Sequence, residues 1–285
     1  MMEGTMRGTP TTAASDHSVI VRRDLRFGLE QCDLRTWHPA GLHVAHFFNA
    51  LSIFFPEGEK FFIDSVRHFR ERLGSEQLER EVKGFVGQEA MHSREHRRYN
   101  EALAAAGLPV AKIEAEVKHH LAKVRKHGSP ANSLAVTIAL EHFTAIMADV
   151  LLSDDGLLAG ADDQMAAIWK WHAVEETEHK AVAYDVYQHV MGRGRAAYWR
   201  RVIIMLLTTI DFWQRVFRCH FALVRADGAA HDLHGWWKLT RFLWISPGGM
   251  RKLIRPWLKY FAGNFHPWQH DNSDLVERWT TTAAA

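Results

Sequence analysis

From about Gly41 onward, apolar residues recur at intervals of three and four, the period of helices with one buried face. The first run passes through Leu42, Ala45, Phe48, Ala50, Leu51 and Phe54. It is interrupted by Pro56 and Gly58 and resumes at Phe61, Phe62, Val66 and Phe69, which predicts a helix with a kink. Gly74-Ser75 supplies a turn and cap for a second helix through Leu78, Val82, Phe85, Val86, Ala90, Tyr99 and Leu103, closed by Gly107-Leu-Pro109. Residues 111–127 are polar, carry several Lys and His, and predict an exposed connecting helix before Gly128-Ser-Pro130. A third long helix runs through Leu134, Val136, Ile138, Leu140, Phe143, Ile146, Met147 and Val150 to Leu152. A fourth starts near Asp162-Asp163 and continues to Val190, where Gly192-Arg-Gly194 ends it. One or two further helices are expected over 196–224 and 236–261, and an extended or irregular arm over 19–27. There is no alternation of strands with helices, no Gly-x-Gly-x-x-Gly and no Walker loop, so the expected class is all-α.

Composition narrows this picture. The hydrophobic share is 47% and the charged share 24%, which fits a folded domain and argues against disorder or a multi-span membrane protein. We expect one domain over 19–265, a disordered tail over 1–18 that lacks the apolar stretch of a secretory signal, and a C-terminal tail over 266–285. The most apolar run, 202–210, is too short to cross a bilayer. Cys32 and Cys219 alone make no disulfide framework, so a reducing cytoplasm is the expected compartment.

The chemistry lies in a set of Glu and His residues. Di-iron and di-manganese carboxylate bundles take a Glu from each of two helices and a Glu-x-x-His from each of the other two. Here the first helix offers Glu59, the second Glu89-Ala-Met-His92, the third Glu141 and the fourth Glu176-Thr-Glu-His179. Residues three apart share a helical face, so each Glu and its His can reach one ion. The expected architecture is therefore a ferritin-like four-helix bundle with additional C-terminal helices, holding two metal ions, iron or manganese. Glu57, two residues from Glu59, is a competing carboxylate. His96 and His172 fall on the same faces as further ligands or as polar neighbours of the site. Gln88 and Glu175 suit a supporting role, Glu175 toward His92 and Gln88 toward His179, because a ligating imidazole needs an acceptor for its other N–H. Glu95, Glu178, His142 and Asp185 read as ordinary helix-face or network residues.

The segments Arg22-Arg-Asp-Leu-Arg-Phe27, Phe55-Pro-Glu-Gly-Glu-Lys-Phe-Phe62, Gln88-Glu-Ala-Met-His92 and Glu175-Glu-Thr-Glu-His179 occur in that order. With them the chain resembles, over about residues 18–265, the bacterial family labelled predicted metal-dependent hydrolases. The resemblance implies metal dependence and names no substrate.

Three reactions suit such a centre. The leading expectation is O2-dependent oxidation of an apolar or lipid-like substrate by hydroxylation, desaturation or N-oxidation, which requires an electron donor. The alternatives are two-metal hydrolysis of an ester or phosphate, and metal storage or peroxide detoxification.

Charge adds one more feature. Residues 193–285 hold fourteen Lys and Arg against six Asp and Glu, together with eight of the eleven Trp. These cations are interleaved with apolar residues, which argues against nucleic-acid binding. They suit either helices packed over the bundle or peripheral contact with an anionic membrane. A homodimer is the default assembly.

Overall fold

The computed structural model describes residues 19–283; the 1–18 tail lies outside them. The described residues form ten α-helices: α1 Leu42–Arg67, α2 Glu76–Ala105, α3 Val110–His127, α4 Pro130–Ser153, α5 Asp163–His179, α6 Val182–Met191, α7 Arg195–Ala226, α8 Leu233–Trp244, α9 Gly249–Lys259 and α10 Ser273–Ala283. No strand occurs among them, and the chain is all-α. Helix α1 packs on α2 and α4, and both α2 and α4 pack on α5. Helix α7 lies along α1 and α4, α8 and α9 cover one end of that pair, and α10 rests on α5.

Local signals account for most helix starts. Ser75 and Ser129 accept bonds from the Leu78 and Asn132 amides, and Asp162 caps α5 through the Gln164 and Met165 amides. Helix α4 is apolar on every side and is the one described helix long and apolar enough to cross a membrane; 72% of that window is buried inside the fold. A helix enclosed by α1, α5, α7 and α9 needs no polar face.

As expected, Pro56 lies within one helix, α1, while the structure departs from the sequence reading in three later places. Proline withholds the amide that the Ser52 carbonyl would accept, and Asn100 Nδ2 approaches that carbonyl instead, at 3.4 Å. The fourth expected helix is two, α5 and α6, separated at Lys180-Ala181. Here the buried Lys180 ammonium leaves the helix axis to donate to the His270 carbonyl at 2.7 Å and Asn272 Oδ1 at 2.5 Å, 3.8 Å over the Trp268 ring. The last expected helix divides into α8 and α9 around Ser246-Pro247-Gly248. The segment assigned to a C-terminal tail contains α10, whose Leu275 and Val276 are buried. The 19–27 arm is irregular and lies against α2 and α5 through bonds to their side chains.

Buried imidazoles tie α1 to the elements around it. His46 Nε2 meets Asp227 Oδ2 at 2.8 Å, and His220 on α7 donates to the His43 carbonyl at 3.0 Å. Burial holds both below the ordinary imidazole range, His220 from 6.5 to about 4. Between those values the unfolded chain binds a proton that folded His220 excludes, so stability falls as pH drops through this window and levels off below it. We predict that His220→Gln, which keeps a donor for the His43 carbonyl, loses ~1–3 kcal/mol less than the parent between pH 6.5 and 4. Thermal melts of the two proteins across that range test this, and parallel pH dependences would contradict it.

Candidate metal centre

Four helices deliver the expected donors to one place. Glu59 comes from α1, Glu89 and His92 from α2, Glu141 from α4, and Glu176 and His179 from α5; each is at most 2% exposed. His179 Nε2 lies 3.3 Å from Glu89 Oε1, 3.5 Å from Glu176 Oε2 and 3.7 Å from Glu141 Oε2. On the other side, His92 Nδ1 lies 3.7 Å from Glu176 Oε1, and His172 Nε2 lies 2.9 Å from the same oxygen and 3.9 Å from Glu59 Oε1. Three overlapping groups result, each with donor atoms within 4.8 Å of one another: Glu59, His92 and His172; Glu89, His92 and Glu176; Glu89, Glu141 and His179. Glu89 and His92 each join two of them. Glu176 faces both sides through its two oxygens.

The surrounding hydrogen bonds orient each imidazole. Gln88 Nε2 donates to Glu178 Oε2 at 2.6 Å and to the Val21 carbonyl at 3.1 Å, so its Oε1 accepts from His179 Nδ1 at 2.8 Å. Glu175 Oε2 accepts from His92 Nε2 at 3.1 Å. Asn100 Nδ2 donates to Glu114 at 2.9 Å, which leaves Asn100 Oδ1 to accept from the Ser52 hydroxyl at 3.0 Å. Ser52 Oγ then accepts from His96 Nδ1 at 2.9 Å, and His96 Nε2 accepts from His172 Nδ1 at 2.7 Å. Each of His92, His172 and His179 thus turns its second ring nitrogen toward the carboxylates, where it can offer a lone pair once it carries no proton. Two acceptors 2.9 Å apart, as His172 Nε2 and Glu176 Oε1 then are, require a proton or a cation beside them. His96 spends both nitrogens in this relay, and the half-buried Glu57 belongs to none of the three groups.

The electrostatics are those of a crowded dry site. Burial, followed by repulsion from neighbouring carboxylates, pushes Glu59 and Glu141 well above the usual range; burial also raises Glu89. Burial works the same way on Glu176, yet the adjacent His179 and His172 outweigh it and hold Glu176 well below. Burial alone would lower His179; Glu176, Glu89 and Glu141 overcome it and raise His179 well above its ordinary value. His92 is depressed by burial and by His172. Buried atoms without any hydrogen-bond partner include Glu59 Oε1, both oxygens of Glu89 and Glu141, His92 Nδ1, Glu176 Oε2 and His179 Nε2. Every one of the six expected residues contributes, and an unpaired buried polar atom costs ~1–3 kcal/mol, so a group that accepts donation from oxygen and nitrogen fits this site.

A family model described as predicted metal-dependent hydrolase matches residues 21–271. The chain belongs to that family. No curated protein and no solved structure matches the chain. The family match begins at the 19–27 arm, whose Arg23 the sequence reading left without a role. The Arg23 guanidinium donates to Glu178 at 2.6 and 3.0 Å and to Glu175 at 3.4 Å, while its amide donates to Glu175 at 3.2 Å. Of the residues expected on helix faces or in networks, three are buried with polar partners: Glu178 in this network, Glu95 against Arg94, and His142 against the Pro256 carbonyl. The available signal was the 175–179 run itself, since four acids and bases within five residues leave α5 no apolar stripe and require partners all round.

The orphaned carboxylates generate a prediction. In protein stripped by chelator, Glu141→Leu removes two unpartnered buried oxygens and raises stability by ~1–3 kcal/mol. Thermal melts with chelator check this, and a lower melting temperature than the parent would count against it.

Proposed function

We propose that the chain is a two-metal enzyme in which Glu59, Glu89, His92, Glu141, Glu176 and His179 hold the ions, with His172 as a seventh donor. The observation that carries this reading is the set of buried, unpartnered donor atoms contributed by all six residues. Charge supports two ions: four carboxylates facing one another in an apolar core balance two divalent cations, while the imidazoles contribute as neutral donors. When bound, the ions supply Lewis acidity and, if they are iron, redox capacity. The chain does the rest. Glu175 and Gln88 hold His92 and His179 in the donating tautomer, Arg23 neutralises Glu175 and Glu178, and the aromatic walls exclude water.

Hydrolysis is the reaction that the family's description favours, and bound ions would supply Lewis acidity for cleavage of a bond such as an ester or phosphate. A specific observation favours the second reading, oxygen-dependent oxidation supplied by an electron donor. A cavity with about 90 Å³ of free interior reaches His172 and Glu176, and its walls are Phe47, Phe48, Leu51, Phe55, Met147 and Trp169 with few polar groups. Apolar surroundings and an Asp-free set of Glu and His suit iron and an organic substrate. The same cavity leaves apolar room beside the centre that a storage protein does not need.

Metal analysis of protein purified without added metal separates these readings. About two ions per chain are expected. Manganese- or zinc-supported cleavage of ester or phosphate substrates favours hydrolysis, and iron with an oxygen-dependent absorption change favours oxidation. Replacing both His92 and His179 by Ala should strip at least one ion, and two ions retained in that variant would sink the ligand assignment. Glu175→Gln should weaken metal affinity or activity ~10–100-fold.

Lipid access is supported by the outer surface of α7–α9. Trp199, Ile203, Leu207 and Ile210 on α7, Trp237 and Trp244 on α8, and Ile254 and Leu258 on α9 are all 45–68% exposed. Arg200, Arg241, Arg251, Lys252, Arg255 and Lys259 lie among them in sequence. Five of the eight C-terminal Trp, by contrast, are half-buried against other elements. We propose that this face rests on an anionic bilayer without spanning it. Co-sedimentation with anionic but not neutral vesicles, weakened by salt and by Trp237→Ala/Trp244→Ala, is expected. No binding together with a dimer in light scattering would assign the face to a second copy instead.

A further inference from the structure

A second passage reaches the centre between α3 and α7 and shares Phe55 and Thr144 with the first cavity. It starts at Glu59 and Gly58 on α1 and is walled by Phe54, Phe62, Leu121, Leu140 and Phe212. Its free interior is about 200 Å³. Phe54, Val117 and Arg215 also line an outer basin, so the two spaces adjoin. That basin differs in chemistry, for Lys112, Arg215, Arg218 and Arg225 line it against the single carboxylate of Glu116.

At the junction the charges cancel. Arg215 Nε donates to both Asp211 oxygens at 2.9 and 3.0 Å, and Arg215 Nη2 donates to His120 Nδ1 at 2.7 Å. His120 Nε2 then donates to Asp211 Oδ2 at 2.8 Å as a neutral ring. With Arg215 matched by Asp211, the mouth keeps Lys112, Arg218 and Arg225 against Glu116. These three cations form no ion pair among the described residues. Lys112 and Arg218 are exposed, as are Arg225 and the neighbouring Phe221. By contrast, the cavity that reaches His172 and Glu176 has no cation in its lining. The two entrances are therefore unequal, and only one can hold an anion at its rim.

We propose that this α3–α7 passage is the substrate channel and that the substrate is an amphiphile. Its apolar chain lies along the aromatic walls toward Glu59, and its anionic head, a carboxylate or a phosphate, stays at Lys112, Arg218 and Arg225. The proposal rests on the reading of Glu59 as part of the metal centre. Charge complementarity selects the head, because an anion at the mouth offsets the unmatched cations and keeps its charge in water. The dry walls select the chain, because polar groups placed there would find few partners.

Binding of dodecanoate, dodecyl phosphate, hexanoate and dodecyltrimethylammonium, each below its micelle concentration, tests this by calorimetry on the full chain, with metal content measured on the same samples. Both dodecyl anions should bind at least tenfold tighter than the cation, and affinity should rise roughly threefold per methylene from hexanoate to dodecanoate. A preference for dodecanoate identifies a carboxylate head, and a preference for dodecyl phosphate a phosphate head. Arg218→Glu/Arg225→Glu should weaken both anions tenfold or more at low salt without weakening the cation. Leu121→Trp, which narrows the passage, should weaken dodecanoate more than hexanoate. Equal affinity for the anionic and cationic dodecyl probes, or full dodecanoate affinity in Leu121→Trp, overturns the channel. Protein that takes up no iron, manganese or zinc when these are supplied, yet keeps the anion preference and the variant effects, overturns the metal reading and leaves the channel standing.

Discussion

The structure is organised around the cost of placing four carboxylates and three imidazoles in one water-poor helical core. Ionised groups of like sign in such surroundings repel one another strongly, and their unmade hydrogen bonds add a penalty at each atom. The opposing shifts of Glu59, Glu141, Glu176 and His179 reflect a protein distributing too few protons over too many acceptors. Bound metal cations would remove that conflict. Without them, the stability must come from the large apolar residues packed around the site, among them Phe61, Phe85, Leu134 and Ile138.

The same constraint explains the layer outside the donors. An imidazole presents a lone pair inward only if its other nitrogen has an acceptor, and Gln88, Glu175 and His96 provide three different ones. Two of those partners lead to further buried acids, Glu175 itself and Glu178, which need a cation of their own. Arg23 provides it from the irregular arm. A segment with no regular secondary structure thus closes the network, and the match to the metal-dependent hydrolase family starts within it.

Helices α7–α10 add surfaces rather than donors. Their inner faces turn grooves beside α1 and α4 into apolar cavities, one under α8 and α9 and one between α3 and α7. Their outer faces leave aromatic and basic residues exposed. A donor set of this kind is common to many reactions, so under the proposed function selectivity would come from these appended helices and the cavities they line.

Much was legible from residue order alone. Helical periodicity separates the long helices, and the repeat of Glu and Glu-x-x-His identifies the six residues that the fold gathers, because a three-residue step holds two side chains on one helical face whatever the helix packs against. The sequence also suggested the Gln88 and Glu175 contacts through their position beside the site. Other features depend on contacts between distant segments. The continuity of α1 through Pro56 requires Asn100, 44 residues away in sequence, to approach a freed carbonyl, and the break after His179 accompanies the docking of Lys180 on the C-terminal segment. His172 and His96 looked alike in sequence, and only the Asn100–Ser52 bond sets the direction of the relay that turns His172 inward and occupies His96. Periodicity reports which face of a helix is buried. Which atom meets which partner across that face is decided by tertiary packing.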